Sequence, residues 1–147
     1  ERNERITVDV QSDDLITSAL RGAANKLAQD PVLIDVSQRL GIAESFLVVS
    51  APTSRQVRAI AEEIMDEIGR DWHVVPKRIE GRSEGTWVLA DYGDVVIHVM
   101  SQEDREFYAL ERLWADQKIT HLELPDVAPG AVRPVMTPAQ VIEGIEE

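Results

Sequence analysis

The chain reads as an α/β protein, a mixed β-sheet packed by helices. Three observations predict it. Apolar residues recur at helical spacing in three stretches with short β-branched runs between them, so the elements follow in the order helix, strand, strand, helix, strand, strand, strand, helix. The last two strands alternate so that one side is wholly aliphatic, as a sheet surface covered by helices must be. A length of 147 residues with 44% hydrophobic residues is that of one ordinary soluble domain with room for a real core.

Each element has its own local signal. Residues 14–29 carry Ile16, Leu20, Ala23, Ala24 and Leu27 at helical spacing, with Ser12 as N-cap and Pro31 just past the end. Residues 32–36 and 46–50 are short and β-branched, as strands buried on both sides are, and Gly41 marks a turn between them. Thr53 and Gln56 form a capping box that opens a helix through Val57, Ile60, Ala61, Ile64 and Ile68. Gly69 is its expected stop. A third strand is expected over 77–82, and 86–91 with 94–100 form a hairpin about Tyr92-Gly93. Ser101 caps a last helix expected to carry Phe107, Leu110 and Trp114 inward. From Lys118 onward come four of the seven prolines together with Gly130. Residues 1–117 therefore read as the folded domain and 118–147 as a Pro-rich acidic extension, loosely docked, with a short helix over 138–145. There is no internal repeat and no low-complexity run.

Composition removes several function classes. The net charge of −12 weighs against direct nucleic-acid binding, since neutralising phosphate needs clustered Lys and Arg. A basic protein partner suits it better, although an acidic balance also serves plain solubility. The absence of cysteine removes disulfides, thiolate metal sites and cysteine nucleophiles together. No stretch approaches the ~18 apolar residues of a spanning helix, and no basic segment followed by an apolar one opens the chain, so a cytoplasmic protein with no membrane partner is expected.

The hairpin is harder to explain by folding alone. Closed on a two-residue loop, it sets Asp91 opposite Asp94, Leu89 opposite Val96 and Trp87 opposite His98 on one side. Val88, Ala90, Val95, Ile97 and Val99 form the other, aliphatic side. An indole, an imidazole and two carboxylates on one face suit recognition, because facing like charges repel unless water or a basic partner offsets them. Taken singly, Trp87 is equally a core aromatic and the two aspartates equally turn residues. Together with Arg105, Tyr108 and Arg112 at i, i+3 and i+7 on the next helix, they form a candidate binding surface of the residue types found at interface hot spots.

Catalytic motifs are missing. His73, His98 and His121 are scattered and follow no metal-site spacing. His121-Leu122-Glu123 is half of a deaminase signature without its cysteines. No nucleophile elbow, Walker A loop or dinucleotide fingerprint is present. Asp91 and Asp94 have the chemistry of a magnesium pair, but carboxylates on either side of a turn are commonplace. No cofactor and no enzymatic activity are expected.

Residues 16–116 resemble the ribosomal silencing factor family, also called Iojap or RsfS. The resemblance is carried by Phe46-Leu47-Val48-Val49-Ser50, Thr53-Ser54-Arg55-Gln56-Val57, Glu84-Gly85-Thr86-Trp87-Val88-Leu89, Asp91-Tyr92-Gly93-Asp94-Val95-Val96-Ile97-His98 and Arg105-Glu106-Phe107-Tyr108 with Leu110-Glu111-Arg112-Leu113-Trp114. It implies a nucleotidyltransferase-like fold used for binding. It further implies a translation repressor that docks on protein L fourteen of the large ribosomal subunit, blocks joining of the small subunit when nutrients fail, and forms a homodimer when free. Contact roles carry over onto Trp87, Asp91, Tyr92, Asp94, His98, Arg105, Tyr108, Glu111 and Arg112, and onto Glu106 and Trp114, which are also candidates for packing. Two stretches depart from the family pattern, Ala43-Glu44-Ser45 and Ala51-Pro52. The second removes the Gly-Ser phosphate-binding element of true nucleotidyltransferases, and no Asp-x-Asp pair stands beside it, so an atypical nucleotidyltransferase is only the alternative. A third reading makes the hairpin face a self-association surface of a dimeric scaffold.

Overall fold

The computed structural model describes residues 10–126. In chain order they form α1 (Ser12–Asn25), β1 (Gln29–Asp35), β2 (Ser45–Ala51), α2 (Ser54–Trp72), β3 (Arg78–Glu80), β4 (Trp87–Asp91), β5 (Val95–Ser101), α3 (Gln102–Tyr108), α4 (Leu110–Leu113) and β6 (Ile119–His121). The strands make one six-stranded sheet in the order β3-β4-β5-β2-β1-β6. β2 and β5 run parallel, and every other pair is antiparallel. The expected mixed sheet packed by helices is what forms.

The core has two layers, one on each face of the sheet. Leu47, Val49 and Ala51 of β2 and Val95, Ile97 and Val99 of β5 pack beneath the apolar stripes of α1 and α2, led by Ile16, Ala19, Ala23, Ile60, Ile64 and Ile68. The two helices touch closely at Gly22, where a Cβ would lie 2.8 Å from the Ile64 Cα. On the opposite face Val32, Ile34, Val48, Val96 and Met100 pack under Leu110 and Trp114. Strands 32–36 and 46–50 are thus buried on both sides, as their composition demands.

Several boundaries differ from the sequence expectation. α1 starts after Gln11, whose N–H bonds the Asp14 carboxylate at 3.2 Å, and not after Ser12. It ends at Asn25, because Leu27 turns the chain through φ 62°. α2 runs past Gly69 to Trp72 and stops at His73, a left-handed residue whose N–H bonds the Gly69 carbonyl at 3.0 Å. Trp72 is worth the extra turn, since its Nε1–H donates to Ser18 Oγ of α1 at 3.0 Å. The last helix is broken at Ala109 (φ 48°, ψ 59°) into α3 and α4. The break leaves Phe107, expected inward, 78% exposed, while Leu110 and Trp114 do turn in.

The hairpin closes one step further along than expected. Leu89 lies opposite His98, Trp87 opposite Met100 and Asp91 opposite Val96. Tyr92 N–H bonds the Val95 carbonyl at 2.9 Å, so Gly93 (φ 95°) and Asp94 form the turn. Glycine fits there because positive φ costs it nothing. A shift of two residues preserves the face of every side chain. Beyond residue 117, β6 adds to β1 as an edge strand. The expected helix over 138–145 lies outside the described residues.

Candidate functional site

Alternation along the strands puts Trp87, Leu89 and Asp91 of β4 and Val96, His98 and Met100 of β5 on the side of the sheet away from α1 and α2. Phe46 of β2 pairs with Val96 and extends that side. The aromatic rings meet there. Trp87 is 5.9 Å from the His98 ring and 4.9 Å from Tyr108 at the end of α3. Phe46 is 4.5 Å from His98 and stands edge-on to Trp114 at 5.5 Å. Phe107 stands edge-on to Tyr108 at 4.9 Å. Arg39 lies over the Trp114 ring at 4.2 Å, a cation–π contact that closes the far side.

This platform is only partly covered. Trp87, Leu89 and Phe46 are half-buried. Tyr108, Phe107 and Leu113 are 49%, 78% and 60% exposed. Apolar and aromatic groups left open beside buried ones of the same kind are what a protein-docking surface presents. Its hairpin end is acidic. Asp94 is exposed at the turn, and Asp91 accepts the Gly93 N–H at 2.8 Å and faces Arg78 at 3.4 Å.

Beneath the platform His98 holds Trp87. The indole Nε1–H donates to His98 Nδ1 at 3.0 Å. An indole nitrogen only donates, so Nδ1 must be bare and the imidazole neutral with its proton on Nε2. That Nε2 is buried without a partner. Burial pushes the His98 pKa down to about 4, as expected when protonation would turn two donors against each other.

The sequence-assigned residues do not form one cluster: some stand at the platform, some along a cleft and some are buried. Trp87, Asp91, Asp94 and Tyr108 gather at the platform and its hairpin end. Arg105, Glu106, Glu111 and Arg112 line a cleft of about 970 Å³ beside the corner between α3 and α4, with Ser50, Asp30 and His121. Tyr92, expected at the loop tip, instead packs into the layer beneath α1 and α2, where burial raises its pKa to about 12. His98 and Trp114 are buried under the platform, and Arg105 is buried within the protein, bonded to Ser50 Oγ at 3.1 Å and Glu111 at 3.0 Å. Sequence reasoning missed Phe46, Arg39, Phe107 and Leu113. Phe46 had a signal, the alternation Phe46, Val48, Ser50 along β2, whereas Phe107 and Leu113 depend on the break at Ala109, which leaves no mark in helical spacing. Among the described residues no group of three or more His, Cys, Asp or Glu side chains is placed to hold a metal ion.

Comparison with known proteins sets this geometry in a family. The model of the family described as "Ribosomal silencing factor during starvation" matches residues 9–141. A protein of Bacillus subtilis named ribosomal silencing factor RsfS is 36% identical over 109 residues, covering 74% of this chain and 92% of that protein. A mouse protein named "Mitochondrial assembly of ribosomal large subunit protein 1" is 30% identical over 106 residues, which are 69% of this chain and 44% of that one. A crystal structure of a protein from Chromobacterium violaceum superimposes with a TM-score of 0.68 at 29% identity, over 84% of this chain and 98% of that one. The chain belongs to the ribosomal silencing factor family.

Proposed function

We propose that this protein is a translation repressor that acts by occupancy, without turnover. The platform of Trp87, Leu89, Tyr108 and Phe107 docks on protein L fourteen of the large ribosomal subunit. The body of the domain then stands where the small subunit would join. Nutrient limitation is the condition under which this exclusion matters. One observation carries the reading: a set of aromatic side chains is held open on the sheet face opposite α1 and α2, with carboxylates at the hairpin end. Buried and half-buried aromatic anchors supply affinity at protein interfaces, while rim charges steer the encounter. A ribosomal protein is basic, which suits Asp91, Asp94 and the net charge of −12. The names borne by the Bacillus and mouse relatives point to the same class of partner.

Co-sedimentation of the purified chain with isolated large subunits, small subunits and assembled ribosomes tests it. Selective pelleting with free large subunits is expected, together with inhibition of subunit joining in a light-scattering assay. Absence of binding at low salt rejects the reading. The open patch of Phe107, Tyr108 and Leu113 also favours a second use of the same face, a homodimer when the chain is free. Sedimentation equilibrium is expected to show a dimer that Tyr108→Ala weakens and that large subunits dissociate.

A further inference from the structure

α3 crosses the sheet with no apolar anchor of its own. Arg105 is its one buried residue, while Phe107 faces outward and Tyr108, half-exposed, rests its ring on Trp87. Past Tyr108 the chain bends through Ala109, whose N–H closes the helix on the Arg105 carbonyl at 2.9 Å. Beside that corner lies the cleft of about 970 Å³, not packed core. The Arg105 guanidinium bridges three segments there. Nη1 donates to Ser50 Oγ at the end of β2 (3.1 Å) and to the Gln29 carbonyl of β1 (3.5 Å), and Nη2 donates to the Glu111 carboxylate of α4 (3.0 Å). A planar fork fixes orientation as well as distance, which a flexible ammonium cannot do.

We infer that Arg105 is a positioning residue for the docking face: it holds the corner between α3 and α4 so that Tyr108 lies against Trp87, and it affects binding through Tyr108. This rests on the docking reading above. Arg105 lies on the wall of the cleft, but at 9% exposure and with both ends of its fork engaged inside the chain its bonding capacity is directed to Ser50, Gln29 and Glu111. Its position in sequence, three residues before Tyr108 on one helix face, gives it the look of a contact; the structure turns it inward.

The test is a double-mutant cycle on binding to purified large subunits, with Arg105→Gln, Arg105→Lys, Tyr108→Ala and the combined variants. Arg105→Gln is expected to weaken binding roughly tenfold when Tyr108 is present and less than about twofold when Tyr108 is Ala. Arg105→Lys, which keeps the charge but not the fork, should behave as Arg105→Gln does. Equal losses in both backgrounds, or full rescue by lysine, overturn the inference, because they mark a charge that acts on the partner directly. A second arm needs no ribosome: nuclear Overhauser contacts between the Trp87 and Tyr108 rings are expected in the unmodified chain and lost in both Arg105 variants, while contacts around Ile97 persist. Ring contacts that survive the substitution also overturn it. Failure of the unmodified chain to bind large subunits, with ring contacts still lost in the variants, rejects the docking reading and upholds the positioning role. Should Arg105→Gln not fold, Glu111→Ala removes the acceptor of Arg105 Nη2, and a roughly threefold loss that disappears in the Tyr108→Ala background is expected. No change on Glu111→Ala counts against the inference.

Discussion

At the scale of single residues, one hydrogen bond between two rings holds the indole of the proposed docking face. Trp87 is held by donating to His98, and His98 can accept only while neutral. The folded-state pKa of His98, about 4, lies below its ordinary value of 6.5. Its contribution to stability is therefore complete above about pH 6.5, shrinks as the pH falls through the interval between the two values, and is gone below about 4. The full difference is on the order of 3 kcal/mol. Asp35 and Asp71 have folded-state pKa values below their ordinary 3.8, so stability from them is lost only under more acidic conditions. Urea denaturation at pH 7 and pH 4.5 should thus show a drop in stability that His98→Gln, which keeps an acceptor for Trp87, largely removes. An unchanged drop would place its origin elsewhere. Tyr108 is the cleaner probe of binding, because it is half-exposed and buries little of its own. Tyr108→Ala should leave the melting temperature within about 2 °C and weaken large-subunit binding roughly 30-fold, the loss of a hot spot of about 2 kcal/mol.

At the scale of elements five strands were legible, but the helix ends and the edge strand β6, which lies in the expected extension, were not. Short β-branched runs bounded by turns leave few alternatives, and alternation assigned residues 87–91 and 95–99 to their correct faces even though the register differed by two residues, while Tyr92 and Asp94 at the turn were misplaced. Helix ends depend on distant contacts. Trp72 extends α2 because Ser18, far away in sequence, accepts its N–H. The corner after Tyr108 depends on Ala109 in a left-handed conformation, where sequence would lead one to expect glycine or asparagine. Alanine there is strained by about 1 kcal/mol. Ala109→Gly should accordingly raise the urea midpoint by an amount equal to about 1 kcal/mol with an unchanged slope. A lower midpoint would show that the methyl group packs at the corner. Exposure of Phe107 and Leu113 follows from the same bend, which is why helical spacing misassigned Phe107.

At the scale of the whole molecule, charge and shape act on different steps. The net charge of −12 spreads a long-range field around the chain, while the aromatic platform occupies one face. Long-range fields change the rate of encounter and are screened by salt; desolvated aromatic anchors change the rate of departure. Composition alone pointed to a basic partner but could not locate where it binds, since acids are distributed along the whole sequence. The sheet topology puts Asp91 at the turn end of the same face that carries Trp87 at its other end, and the proposed docking uses both ends of that face. The two aspartates are not equivalent probes. Asp91 also stabilises the turn through the Gly93 N–H and faces Arg78, so changing it disturbs the hairpin itself. Asp94 is exposed, and its backbone carbonyl, which a substitution leaves in place, does the structural work by accepting from Glu44 and Ser45. Asp94→Lys should therefore slow association with large subunits several-fold at low salt, flatten the salt dependence of the association rate, and leave the dissociation rate and the melting temperature nearly unchanged. If the association rate and its salt dependence match those of the unmodified chain, the hairpin end lies outside the docking face and the partner approaches from the side of Leu113 and Arg39.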